Sequence, residues 1–188
     1  MITVDEYENF DAVGLATLIA DKKVSALEVV ESAIARIESR NSTLNAVVAT
    51  LFDDARVAVG RGLPRGPLSG VPYLVKDLNT WIEGVPATTG SRAFREHVPE
   101  TDSILISRLR TAGLVILGKT NTPELGLNIC TAPSLFGATK NPFDPQRRQV
   151  GPAAARPVPW RPAWSRLPMR LTAVVPFGFQ QVTVGCLV

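Results

Sequence analysis

Apolar residues along this chain change their spacing from segment to segment, and each change marks an element. From Asp11 to Ala20 they recur at helical spacing, with Leu15, Leu18 and Ile19 on one side. Ser25-Ala26-Leu27-Glu28 is a capping-box start: the serine oxygen accepts from the first turn while the glutamate reaches back. The helix it opens is predicted to run to about Arg40, with Leu27, Val30, Ile34 and Ile37 as its buried stripe. A turn over Asn41 to Ala46, a short strand over Val47 to Phe52 and a helix over Asp53 to Val59 follow. Gly60 to Gly70, rich in Gly and Pro, reads as a surface loop. It leads into a run that has the character of a buried strand and ends at Lys76.

Thr80 to Pro99 is irregular and carries Gly84, Pro86 and Gly90; connections of that length are more often functional than idle. Thr101-Asp102 is expected to cap the next helix, whose stripe is Ile104, Leu105, Leu109 and Ala112. Gly113 stops it, and Leu114 to Leu117 is a fully buried strand. Strand, loop, helix, strand is the order of an α/β sheet. Gly118-Lys119-Thr120 has the look of a phosphate-loop ending, but the upstream glycine at the required spacing is absent and no helix follows at once. Nucleotide binding is discounted.

Composition narrows the function classes. At 188 residues, 45% of them hydrophobic, the chain has room for one domain with a real core. The start, MITVDEYENF, lacks the basic run and apolar stretch of a signal peptide, and no window approaches a membrane span. Cys130 and Cys186 give neither a disulfide framework nor a metal spacing, so a reduced, cytoplasmic chain is expected. His97 is the only histidine, which disfavours Ser-His-Asp chemistry and a histidine-based zinc site. No cofactor is called for. The net charge of +3 is unevenly placed: from Arg148 onward there are five arginines, no lysine and no acid. With no basic face recurring in the body, neither nucleic acid nor membrane is expected as a partner.

Lys76 carries the candidate chemistry. An ammonium at the end of a buried strand is costly, and burial lowers its pKa, so such a lysine can serve as a base. In isolation a Val-Lys-Asp triplet would be read as a solvated strand end. Its surroundings change that reading. Gly70-Val71-Pro72-Tyr73-Leu74-Val75-Lys76-Asp77, Thr88-Thr89-Gly90-Ser91, Gly118-Lys119-Thr120-Asn121-Thr122-Pro123-Glu124 and Phe136 to Pro145 occur in order. Together they resemble the amidase signature family of serine hydrolases, over roughly Gly66 to Arg147 and more weakly back to about residue 10.

The resemblance implies the N-terminal portion of an α/β fold with a mixed central sheet flanked by helices. It also implies a Ser-cis-Ser-Lys triad in which Lys76 is the lysine, and a small-molecule amide as substrate. In that scheme the lysine deprotonates a bridging serine, which relays the proton from the nucleophilic serine. Backbone N–H groups before the nucleophile hold the oxyanion. Thr122-Pro123-Glu124 departs from the Met-Asp-Glu form of the tRNA-dependent amidotransferase subunit, which favours a free-standing amidase.

Past Arg147 the family pattern breaks. Members continue with T-P-G-G-S-S-G-G-S and later D-x-G-G-S-x-R-x-P-A; neither string is present. Both emerge when the codons are read one base early, with the first base of each new codon chosen among those that the printed residues permit. The Gln149/Val150 junction then gives glycine, Gly151/Pro152 gives serine, and Pro152 to Arg156 gives Ser-Gly-Gly-Ser. Leu171 to Val175 gives Asp-Gly-Gly-Gly, and the Val175/Pro176 junction gives serine. A single-base deletion near Arg148 accounts for this. The expected organisation is therefore residues 1–147 as a partial amidase signature domain and 148–188 as an out-of-frame tail. With six prolines and two tryptophans in no helical or strand period, that tail is expected to be poorly ordered. The remaining apolar strands are expected to be exposed edges prone to aggregation.

Other polar residues have ordinary structural readings. Asp77 could orient Lys76, but neighbouring strand residues face opposite ways, so a solvated or capping aspartate is expected. Asn121 and Glu124 follow a buried strand, where α/β sites gather, with structural hydrogen bonding at least as good a reading. Ser91 and Ser134 read as ordinary loop serines, and Cys130 as a core thiol. Three functions stay open: an amide hydrolase by descent that is inactive without its serines, a non-catalytic binding fragment, and a basic-tailed nucleic-acid or membrane protein. The alternative reading frame counts against the last, because it explains the tail's composition without a function.

Overall fold

The computed structural model describes residues 7, 9–142 and 144–148, with the short stretches 173–174 and 181–182. The expectation for the tail thus lies almost wholly outside the described residues. Helix α1 spans Ala12–Ala20, capped by Asp11, whose carboxylate accepts from the Gly14 amide at 2.7 Å. Helix α2, Ala26–Leu44, opens with the expected capping box: the Glu28 amide donates to Ser25 Oγ at 3.1 Å, and the Ser25 amide donates to Glu28 Oε2 at 2.8 Å.

Helix α2 runs four residues past its expected end at Arg40. Asn41, expected in a turn, lies inside it and ties down the following chain. Its Oδ1 accepts from the Ala46 and Val47 amides, and its Nδ2 donates to the Val47 carbonyl at 2.8 Å. The helix ends at Asn45, which takes the left-handed conformation that asparagine tolerates. Its stripe is Val29, Val30, Ala33, Ile34 and Ile37, whereas Leu27, in the first turn, is exposed.

Strand β1 (Val47–Thr50) leads into α3 (Phe52–Arg61), then β2 (Pro72–Lys76), α4 (Ile104–Thr111) and β3 (Val115–Thr120). The sheet order is β1-β3-β2, with β3 antiparallel to β1 and parallel to β2: the mixed α/β sheet expected from the pattern. Further strands are β4 (Lys140–Asn141), paired with β5 (Asp144–Arg148), and β6 (Ala173–Val174), paired with β7 (Gln181–Val182).

Alternation along the strands divides the core between two faces. Leu74, Val115 and Leu117 pack with Val30, Ala33, Ile34 and Ile37 of α2 and Ala55 of α3. Val75 and Ile116 pack on the other side with Ile82 and with Ile106 of α4. Helix α4 is rotated from its expected stripe: Ile106 is fully buried and Ile104 is 75% exposed. Its N-cap is Ser103 rather than Thr101-Asp102. Asp102 is engaged elsewhere, accepting from the Glu83 amide at 2.9 Å and pairing with Arg110 at 2.8 Å.

Strand β3 is longer than Leu114 to Leu117, because Gly118, Lys119 and Thr120 continue it. Gly118 follows the slip of one residue in the pairing with β2, and a Cβ there would lie 2.2 Å from the Ala49 carbonyl oxygen of β1. A bare backbone is what lets β1 approach.

Candidate active site

The parallel pair β2 and β3 ends in four polar residues. Register places Val75 opposite Lys119 and Lys76 opposite Thr120. The main-chain ladder continues one step further, with the Asp77 amide donating to the Thr120 carbonyl at 3.0 Å. Alternation then puts Lys76 and Thr120 on the α2 face, and Asp77 and Lys119 on the other.

The second face holds a closed network. Lys119 is fully buried, and its Nζ donates to Asp77 Oδ1 at 3.2 Å and to the Pro86 carbonyl at 2.8 Å. The Thr88 hydroxyl donates to the other oxygen, Asp77 Oδ2, at 2.5 Å, and accepts from the Gly90 amide at 3.1 Å. Asp77 is therefore not the solvated aspartate expected from the sequence; it is 3% exposed. The loop of residues 78–99 roofs this face, and Lys119 supplies the counter-charge that lets a carboxylate stay there. Burial lowers the Lys119 pKa, and the Asp77 charge and hydrogen bond work against that shift.

Lys76 is the opposite case. It too is buried, but its Nζ has no hydrogen-bond partner among the described residues. Its register partner, Thr120, likewise carries a buried hydroxyl without one. Burial alone pulls the Lys76 pKa down from 10.5 to about 8. The main chain around it is held, since the Thr80 hydroxyl donates to the Lys76 carbonyl. An uncompensated polar group in the interior costs about 1–3 kcal/mol, and such groups in native folds call for an explanation.

The loop beyond is fixed to the end of β3. Ser91, expected to be an ordinary loop serine, is buried, and its hydroxyl donates to Glu124 Oε1 at 2.7 Å. The Leu125 amide donates to the Thr89 carbonyl at 2.8 Å. Thr89 and Gly90 both have positive φ, and a Cβ on Gly90 would stand 2.8 Å from the Thr122 carbonyl oxygen. The glycine inside Thr-Thr-Gly-Ser is thus what allows the two segments to touch.

Asn121 has a structural role, donating to the Gly137 carbonyl at 3.1 Å and to Thr139 Oγ1 at 3.0 Å. Ser134 is exposed and Cys130 only half-buried, so Cys130 is not the core thiol expected. His97 meets Trp81 edge-on, ring centroids 6.0 Å apart. Cys186 lies outside the described residues. Among the described residues no three His, Cys, Asp or Glu side chains gather to hold a metal ion. None of their helices is long and apolar enough to cross a membrane.

Lys119 is the residue that sequence reasoning misses. Its signal is the same as that of Lys76: a lysine closing a buried apolar run.

Residues 28–152 match the model of the family described as Amidase, well over half of the chain. The chain belongs to the amidase family. Among similar proteins, the 6-aminohexanoate-cyclic-dimer hydrolase of Paenarthrobacter ureafaciens is 39% identical over 136 residues, covering 71% of this chain and 27% of that protein. A glutamyl-tRNA(Gln) amidotransferase polypeptide of Acidothermus cellulolyticus is 39% identical over 145 residues, 72% of this chain and 28% of that protein. Among solved structures, 6-aminohexanoate cyclic dimer hydrolase superposes with TM-score 0.72 at 37% identity, over 77% of this chain and 30% of that one. A bacterial aryl acylamidase of the amidase signature enzymes superposes with TM-score 0.69 at 35% identity, over 76% and 31%. The amidase chain thus spans less than a third of the length of these relatives.

Proposed function

We propose that this amidase chain is the N-terminal part of a hydrolase of carboxamide C–N bonds, with Lys76 as its general base, and that it does not itself turn over an amide. The observation that carries the reading is the buried Lys76 amine, without a partner and beside an equally unpartnered Thr120 hydroxyl. Such a pair is a place prepared for one more polar group. The bridging serine of the family scheme is a group of that kind.

With a pKa of about 8, a large minority of Lys76 would be neutral near pH 7.5 and able to accept a proton. In the complete scheme Lys76 takes the bridging serine's proton, and that serine takes the nucleophile's. The nucleophile adds to the amide carbon, and the departing nitrogen leaves protonated as ammonia or amine. Water then releases the acyl group as carboxylate. The two serine strings that would supply these hydroxyls do not occur in the sequence.

The division into a family portion over 1–147 and an out-of-frame tail over 148–188 is part of the same reading. In its support, the family match stops at residue 152, close to Arg148. We place the substrate among small amides and the protein in the cytoplasm. The Thr122-Pro123-Glu124 sequence favours a free-standing amidase over an amidotransferase component.

The test is an amide-hydrolysis assay on a simple carboxamide, comparing the 188-residue chain with a version whose frame is restored at Arg148. Turnover is expected only from the restored version, and only with Lys76 intact. Turnover by the 188-residue chain that disappears in Lys76→Ala would overturn the inactivity. DNA with no second open frame beneath the tail would overturn the frame assignment.

A further inference from the structure

We propose that Lys119 is a positioning residue for Lys76: by taking up the charge of Asp77 and holding that carboxylate on the far face of the sheet, it leaves the neighbouring amine without a counter-ion and free to accept a proton. The inference rests on Lys76 being the base.

Two lysines and one carboxylate stand at the end of β2 and β3, so one amine must go without. The geometry decides which. Asp77 Oδ1 receives Lys119 at 3.2 Å and Oδ2 receives Thr88 at 2.5 Å, so both oxygens are engaged. Lys119 is pinned further by the Pro86 carbonyl at 2.8 Å. Lys76 Nζ has no partner among the described residues. Of the groups beside Lys76, Thr80 donates to the Lys76 carbonyl, and the Thr120 hydroxyl carries no charge to offer the amine. Burial lowers the Lys76 pKa, while the Asp77 carboxylate pairs with Lys119. Without Lys119, the Asp77 charge would stand one residue from the amine in a weakly screening interior and would favour the ammonium.

The experiment follows the Lys76 side chain directly. The full chain is labelled with ¹³C-lysine, the Lys76 signal is assigned by its loss in Lys76→Arg, and its Cε shift is titrated by NMR. The parent is expected to titrate near 8. Lys119→Met is expected to raise that midpoint, because the Asp77 carboxylate then lacks its counter-charge. Asp77→Asn is expected not to raise it, and Lys119→Arg to keep it at the parent value. A merely structural role would move Lys119→Met and Asp77→Asn in the same direction, as loosening re-solvates the amine. Thr88→Val is the milder perturbation; it frees one Asp77 oxygen and should raise the midpoint by a smaller amount. A parent near 8 with no rise in Lys119→Met overturns the positioning role alone; if that variant does not fold, no rise in Thr88→Val does so. A parent near 10.5 overturns the base reading, and the positioning role with it.

Discussion

Ser91 and Glu124, 33 positions apart, share a hydrogen bond of 2.7 Å that joins the loop after β2 to the turn after β3. The Ser91 oxygen also accepts from the Ala93 amide at 3.3 Å and so caps the short turn Arg92–Phe94. One buried hydroxyl thereby serves both the local turn and the contact with Glu124. Ser91→Ala is expected to lower stability by about 1.5–3 kcal/mol, the range for a hydrogen bond to a charged group. Glu124→Gln, which keeps an acceptor oxygen, should cost less. Urea denaturation of the two variants checks the order; equal losses would mean that the contact depends wholly on the carboxylate charge.

Asp77 and Lys119 make a second test, because a buried ion pair is sensitive to losing one member and tolerant of losing both. Asp77→Ala leaves Lys119 buried without a counter-ion and is expected to cost about 3–5 kcal/mol. The double variant Asp77→Leu with Lys119→Met replaces charge by apolar volume and should recover most of that loss. A double-mutant cycle from denaturation midpoints reads the coupling. Additive losses would show that the pair is not a unit.

How far the sequence reveals this architecture depends on how local each cause is. The capping box at Ser25, the stop at Gly113 and the β2–α4–β3 order are written in short strings, and all three stand in the fold. Lys76 is legible because a charge closing an apolar run is conspicuous. The errors have tertiary causes. Asn41 continues the helix because its side chain is satisfied by residues 46 and 47. Asp77 is buried because Lys119, 42 positions away, neutralises it. Ile104 is exposed although its neighbour Ile106 is the residue that enters the core. No window of sequence shows which face of a short helix a distant strand will choose.

The buried lysines give a pH dependence with a definite sign. Lys76 has a folded pKa of about 8 against an ordinary 10.5, so between those values the unfolded chain binds the extra proton. Stability therefore rises with pH across that window, by on the order of 3 kcal/mol in total for Lys76. Lys119, lowered in the same direction, adds to the slope. Tyr7, raised to about 12 by burial, acts in the opposite sense once the unfolded tyrosine ionises above pH 10. Urea titrations from about pH 7.5 to about pH 9.5 isolate the lysine contribution, and Lys76→Met should flatten most of it. A slope unchanged in that variant would remove Lys76 as its source.

Leu125, Leu127 and Ile129 follow the end of β3 and are 44%, 84% and 72% exposed. They alternate with Gly126 and Asn128, so three large apolar side chains project within five residues. Isolated exposed leucines are ordinary on a protein surface; a cluster beside a sheet with two edge strands is an association risk. Each also loses the roughly 1.5–3 kcal/mol that burying such a side chain returns. Leu127→Lys with Ile129→Lys touches no residue of the Lys76 or Lys119 networks, so stability should change little, within about 0.5 kcal/mol. Self-association should fall. Light scattering across a concentration series is the measurement: the parent is expected to show rising apparent mass, and the double-lysine variant to stay near the 20.2 kDa of one chain. A parent that stays at one-chain mass would show that this cluster does not drive association.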